Sequence, residues 1–278
     1  MIVPVQKDDD LLLDIGAADV RDGHLRLWWL GQSGVLVQFD GAHLLLDPYL
    51  SDSLTVKYAN TDTPHVRMTE RVIDPARLDF IDVVTSSHTH TDHLDAETLR
   101  PLLHANPGLT LVIAEANRAF VASRLAIDPA TPVGLAMGQA TEQGPFRIEA
   151  VPAAHEALAP EYAGFIVRCG AWTLYHSGDT VRFDGMADLL RPHAIDVAVL
   201  PINGRAPERR VAGNLDAVEA ATLGRDIGAR VVIPCHYEMF TFNTADPATF
   251  VAACAALGQR GDVLRCGEQW HSSALDAT

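Results

Sequence analysis

The sequence predicts an α/β fold in which two sheets are covered by helices. Three observations predict it. Early apolar runs follow one another with only short turns between them, at 31–34 and at Asp40-Gly41, in the manner of a meander. Later apolar runs alternate with stretches of helical pattern, as parallel units do. The 278 residues are 48% hydrophobic and 21% charged, which permits a sizeable core without disulfide or metal staples. A meander followed by alternating units argues against a single doubly wound sheet. No repeat, low-complexity tract or long linker interrupts 1–278, which reads as one domain.

The elements follow in order. Runs rich in Val, Ile and Leu at 25–30, 35–39 and 44–46 read as the meander strands. Trp28 and Trp29 alternate sides, so one belongs in the core and the other under a helix. The stretch 51–68 is polar and without a period, which predicts a long surface loop of the kind used as a lid or binding loop, with Tyr58 and Asn60 at its mouth. Residues 81–84 read as a buried strand. A helix over 96–105 follows, with Asp95 at its N-cap and Thr98 and Leu99 starting its apolar face. Strands at 109–113, 146–151, 165–167, 172–175, 197–200 and 231–233 alternate with helices at 115–125, 185–190, 215–227 and 247–257. Asn214 and Asp246 stand where the last two helices need caps, and Pro247 takes a first helical position.

Charge excludes several classes of partner. Lys plus Arg is 21 and Asp plus Glu is 36, a formal charge of -15. That balance opposes tracking along nucleic acid, where affinity comes from Lys and Arg, and docking on an anionic membrane. It leaves room for a small-molecule substrate held by local groups. No apolar run is long enough to span a bilayer. Residues 1–10 show no basic segment followed by an apolar stretch, and the four cysteines show no zinc-ribbon spacing. A cytoplasmic protein with reduced thiols is expected.

Histidine is the unusual count, at 12. Three fall within His88-Thr89-His90-Thr91-Asp92-His93, just after the strand at 81–84. In extended chain His88 and His90 point to one side, and Asp92 and His93 lie in the turn toward the helix capped by Asp95. Imidazoles and a carboxylate so placed can supply two neighbouring sites for Zn, Mn or Fe. His155, Asp179, Asn203 and His236 each stand just past an apolar strand, where ligands gather in α/β sheets.

The His88-x-His90-x-Asp92-His93 pattern, the isolated His155, the Ser177-Gly178-Asp179-Thr180 turn and His236 resemble the metallo-β-lactamase fold superfamily, in order over 25–270. Trp28-Trp29-Leu30-Gly31-Gln32-Ser33-Gly34, Tyr175-His176-Ser177-Gly178-Asp179, Ile195-Asp196-Val197-Ala198 and Val231-Val232-Ile233-Pro234 resemble its L-ascorbate-6-phosphate lactonase-like branch, although at His155 the chain has the fuller histidine set of the generic hydrolases. The resemblance implies an αββα four-layer sandwich with two divalent ions at one edge of its sheets. It implies that His88, His90 and His155 hold the first ion, that Asp92, His93 and His236 hold the second, and that Asp179 bridges them. Asp47, in Leu46-Asp47-Pro48, resembles the aspartate that supports the site from behind.

A divalent ion lowers the pKa of its water to about 7. The resemblance therefore implies a metal-dependent hydrolase that turns a metal-bound hydroxide on a small cyclic ester, with Asp92 as ligand and proton acceptor. The same site suits a small-molecule phosphodiester. A redox protein with a di-iron centre and a non-catalytic metal-binding protein are the further alternatives. Ser33 lacks GxSxG spacing and reads as part of a turn. Cys235 points away from His236 by strand alternation and reads as a core thiol. His176 is a candidate support for Asp179. Asn203 and Arg205 are candidate substrate residues, Arg205 because its guanidinium forks onto carboxylate or phosphate and begins a basic loop through Arg210. His24, His43, His65, His104, His193 and His271 read as solvated or locally bonded.

Overall fold

The computed structural model describes residues 1–18, 21–209 and 212–276, and Arg210 of the basic loop lies outside them. One sheet contains β1 (Arg26–Gly31), β2 (Gly34–Phe39), β3 (Ala42–Leu46), β4 (Val83–Ser86), β5 (Thr110–Ala114) and β6 (Val133–Leu135), with β13 (Gln269–His271) added beside β1. The other contains β7 (Ala140–Gln143), β8 (Phe146–Ala154), β9 (Leu158–Cys169), β10 (Trp172–His176), β11 (Val197–Pro201) and β12 (Val231–Cys235), in the order β12-β11-β10-β9-β8-β7. Both sheets follow one plan. β13, β1, β2 and β3 pair antiparallel and β3 to β6 pair parallel. β7 to β10 pair antiparallel and β10 to β12 pair parallel. This is the sandwich expected: an α/β fold of two mixed sheets with helices.

Every residue of β1, β2, β10, β11 and β12 is buried, so these strands are covered on both faces. The helices are α1 (Asp8–Ala17), α2 (Ser53–Tyr58), α3 (Ala96–Ala105), α4 (Arg118–Leu125), α5 (Met186–Leu190), α6 (Ala217–Ile227) and α7 (Pro247–Leu257). α6 packs on β11 and β12 and touches α5 and α7, while α3 packs on α4. The tryptophans divide as their alternation predicts. Trp28 Nε1 donates to Asp14 Oδ2 of α1 at 2.7 Å, and Trp29 stacks on Tyr237 with ring centroids 4.2 Å apart.

Several elements depart from the sequence reading. The stretch 51–68 is not all loop, since α2 occupies Ser53–Tyr58. α1 forms although its amphipathic signal is only Leu11 and Ile15, and its three leading aspartates favour the positive end of the helix dipole. The helix expected over 215–227 begins two residues later. An isolated bridge pairs Asn203 with Asp216, which keeps the chain extended to that point. Asp216, rather than Asn214, is then the cap, in a reciprocal capping box with Glu219. The short strands β6, β7 and β13 were not foreseen, because three or four residues at a sheet edge carry little periodicity.

Candidate metal centre

The edge where the strands end carries the candidate ligands. His88 stands two residues past β4, and His90, Asp92 and His93 occupy the turns before α3. His155 directly follows β8, Asp179 comes three residues after β10, and His236 directly follows β12. Side chains from both sheets thereby meet. They form two groups, His88 with His90 and His155, and Asp92 with His93, Asp179 and His236; within each group the ligand atoms lie within 4.8 Å of one another.

Asp179 stands between the groups. Its Oδ1 is 2.7 Å from His236 Nε2 and 3.2 Å from His93 Nε2, and its Oδ2 is 3.6 Å from His155 Nε2. His155 Nε2 in turn lies 3.2 Å from His90 Nδ1. The ring centroids of His88 and His93, which belong to different groups, are 4.2 Å apart.

Surrounding hydrogen bonds orient these rings. Buried Asp47, one residue past β3, accepts from His93 Nδ1 at 2.7 Å, from the Ser87 N–H at 3.0 Å, from Thr85 Oγ1 at 3.0 Å, and from Ser87 Oγ. His155 Nδ1 donates to the Gly213 carbonyl at 3.0 Å, which leaves Nε2 for the site. His176 Nε2 donates to the Ser33 carbonyl at 2.9 Å and its Nδ1 accepts from the Gly178 N–H at 3.3 Å, so it props the turn that carries Asp179. Asp47 (φ 42°) and His236 (φ 62°) occupy the left-handed region, a costly conformation that recurs at functional sites.

Residues 43–237 match the family described as the beta-lactamase superfamily domain. The chain belongs to the metallo-β-lactamase superfamily. It is 32% identical over 256 residues to a UPF0173 metal-dependent hydrolase of Opitutus terrae, an alignment covering 88% of this chain and 98% of that relative. A UPF0173 metal-dependent hydrolase of Pyrobaculum aerophilum is 27% identical, covering 87% of this chain and all of the relative (100%). Among solved structures, the metallo hydrolase Igni18 of Ignicoccus hospitalis superposes with a TM-score of 0.66 at 22% identity, covering 89% of this chain and 98% of that one, a likeness of fold.

The donor set of this chain suits divalent ions. His88 Nε2 is buried and hydrogen-bonds to nothing, although a buried polar atom left so is costly. Asp179 Oδ1 sits at ion-pair distance from two imidazoles without a directional hydrogen bond. Imidazole nitrogens and carboxylate oxygens are the ligands of Zn, Mn and Fe.

Burial pushes the His88 imidazole well below its ordinary pKa, helped by the His93 charge, so it stays neutral and able to ligate. His93 goes the other way. Burial opposes its cation, but Asp179 and Asp92 outweigh burial and hold its pKa well above the ordinary value. Burial also opposes the Asp179 carboxylate, and the charges of His236 and His93 still keep its pKa well below the carboxylate range. In the metal-free protein His93 therefore carries a proton at neutral pH that a metal must displace. Metal affinity is expected to fall as pH falls, and loading at pH 7 to release protons. Calorimetric titration with Zn in buffers of different ionisation enthalpy checks this; a binding heat independent of buffer contradicts it.

Gly178 is needed for the turn. Its φ is 58°, and a Cβ there would stand 2.7 Å from the Ala163 carbonyl and from Ser87. Gly178→Ala is expected to cost at least about 1–2 kcal/mol from the left-handed backbone alone. That lowers Tm by several degrees and displaces Asp179. Thermal unfolding with metal analysis measures both effects, and an unchanged Tm would remove this account.

A cavity of about 500 Å³ opens onto the centre, with His90, Asp92, His155 and Asp179 among its lining. Tyr58 lines it as expected, and Asn60 does not. The structure places two substrate candidates off this lining. Arg205 does not line the cavity, because its guanidinium forks onto Glu219 of α6 at 2.9 and 2.5 Å. Asn203 does not line it either; its amide is turned to Asn243 and Asn214. Arg209 and Arg124 line it instead. His65, read as solvated or locally bonded, bonds to the Thr63 carbonyl at 3.0 Å, and it also lines the cavity and stacks on Tyr58 at 4.3 Å. The sequence reading also missed Gln32. Its amide donates to Asp92 Oδ2 at 2.8 Å and lies 3.1 Å from His236 Nδ1. Its position just past an apolar strand was a usable signal.

Proposed function

We propose that this metal-dependent hydrolase opens a small cyclic ester, lactone-like, with 1–278 acting as one catalytic unit. The observation that carries the reading is the meeting of two ligand groups at Asp179 on the lining of a cavity of small-molecule size. His88, His90 and His155 would hold one divalent ion, Asp92, His93 and His236 the other, and Asp179 would bridge them. Bound Zn, Mn or Fe lowers the pKa of a coordinated water to about 7 and polarises the oxygen under attack.

The chain supplies orientation and proton handling. Asp92 accepts the proton of the attacking water. Burial opposes its charge, but His93 and His236 outweigh burial and keep the carboxyl below its usual range, so it is ionised. The Gln32 amide fixes its direction. Leu54, Tyr58 and Phe240 form an apolar wall for a ring. The segments resembling the L-ascorbate-6-phosphate lactonase-like branch support the lactone. Arg124 and Arg209 in the cavity favour a second reading, a small-molecule phosphodiester. Net charge opposes nucleic acid as partner, and among the described residues no helix is long and apolar enough to cross a membrane. Four buried free cysteines accord with a reducing, cytoplasmic setting.

Metal analysis with turnover of a lactone panel and of bis(p-nitrophenyl) phosphate tests the reading. Lactone turnover by protein holding about two ions per chain is expected. Turnover of the phosphodiester alone selects the second reading, and stoichiometric metal without turnover of any ester overturns both.

A further inference from the structure

We propose that the substrate carries a single carboxylate and that Arg209 anchors it. This rests on the ester-hydrolase reading above and adds the class of ester. Arg209 reaches the cavity from the 3-10 turn Pro207–Arg209. Its Nη1 donates to Asn243 Oδ1 at 2.5 Å and its Nη2 to the Asn203 carbonyl at 2.6 Å. Asn203 Nδ2 donates to the same Asn243 oxygen at 2.9 Å, and Asn203 Oδ1 accepts from Asn214 at 3.1 Å. Neutral groups thus hold the guanidinium in place.

No carboxylate among the described residues forms an ion pair with Arg209; the neighbouring Glu208 is the one acid whose charge reaches it. Arg205, four residues earlier, is neutralised by Glu219. Arg209 is partly buried, and among the described residues two of its five N–H groups find acceptors. A preorganised cation with spare donors and no acidic partner calls for an anion, and its planar fork matches a carboxylate.

The charge of the cavity indicates how many charges that anion carries. Among the described residues, and apart from the candidate ligands, its lining holds Lys57, Arg124 and Arg209 against Asp62 and Glu156, an excess of one positive charge. His65 adds none at neutral pH, since burial lowers its pKa. One carboxylate balances that excess, whereas a phosphate monoester brings about 1.5 to 2 negative charges at pH 7.

The test compares γ-butyrolactone, its γ-carboxylate, and the phosphate ester of its γ-hydroxymethyl derivative. The wild-type protein is expected to favour the carboxylate by about tenfold or more in kcat/KM over the neutral lactone. Arg209→Gln should remove that preference through KM for the carboxylated lactone, and Arg209→Lys should keep part of it. Equal rates on neutral and carboxylated lactones in the wild type, a preference for the phosphate ester, or a carboxylate preference that survives Arg209→Gln overturns the proposal. If no lactone is turned over, the ester reading fails, and binding still decides the role of Arg209. Calorimetry should then show 5-oxoproline binding about tenfold tighter than uncharged 2-pyrrolidinone in the wild type and equally in Arg209→Gln; equal binding in the wild type overturns it.

Discussion

Asp179→Asn protein is expected to lose most of its metal and to turn substrate over about a thousandfold more slowly. The size of the effect follows from position. Asp179 oxygens lie 2.7 to 3.6 Å from His236, His93 and His155, so one carboxylate serves both ligand groups. Asparagine keeps the shape but removes the charge that offsets two divalent ions, and only one of its two side-chain heteroatoms accepts. Several kcal/mol of charge stabilisation are lost at the reacting centre, and each 1.36 kcal/mol is about tenfold in rate. Metal analysis and steady-state kinetics on the same preparation measure the two losses, and circular dichroism checks that the fold persists. Full metal content with wild-type turnover would sink the role given to this residue.

Asp47→Ala is expected to destabilise the protein by about 3–5 kcal/mol and to weaken metal binding by about 10- to 100-fold. Asp47 is fully buried and touches no candidate ion site directly. It gathers hydrogen bonds from His93, Ser87 and Thr85 at the ends of β3 and β4. Burial opposes its carboxylate, but the His93 hydrogen bond and the His93 charge keep its pKa below the usual value. Alanine leaves the Ser87 N–H buried without its acceptor, and His93 Nδ1 with only Ser87 Oγ at 3.4 Å. At about 2–4 °C per kcal/mol for a chain of this size, Tm should fall by about 10 °C. Thermal unfolding in excess chelator isolates the stability term from the metal term. A Tm within about 1 °C of wild type would show that Asp47 does not hold His93.

Much of the fold was legible because strand burial is a local property of the chain. Uniformly apolar runs such as 197–200 and 231–233 belong to strands buried on both faces, and they read as such without any knowledge of their neighbours. Asp95 and Asp246 cap α3 and α7 as their chemistry predicts. The misplaced cap at Asn214 shows where local reading stops. Asn214 and Asp216 differ little as helix-start signals, and the pairing of Asp216 with Asn203, a long-range contact, sets the start of α6. The candidate site divides in the same way. His88, His90, Asp92 and His93 declare themselves by proximity in the chain. Gln32 and His65 do not, since a lone glutamine in a turn and a lone histidine in a polar stretch have commoner explanations.

By itself the sequence determined the kind of chemistry: a histidine-rich turn after a buried strand, with His155, Asp179 and His236 past later strands, all of types that bind divalent cations. Only the tertiary structure decided that Asp179 reaches both groups, that Asp47 stands behind His93, and that Arg209 lines the cavity while Arg205 turns to Glu219. The physical reason is one of range. Residue type and strand burial act over a few positions of chain. The direction of a side chain at a sheet edge depends on loop paths and strand pairing between residues more than a hundred positions apart, such as His88 and His236, and no local pattern encodes that.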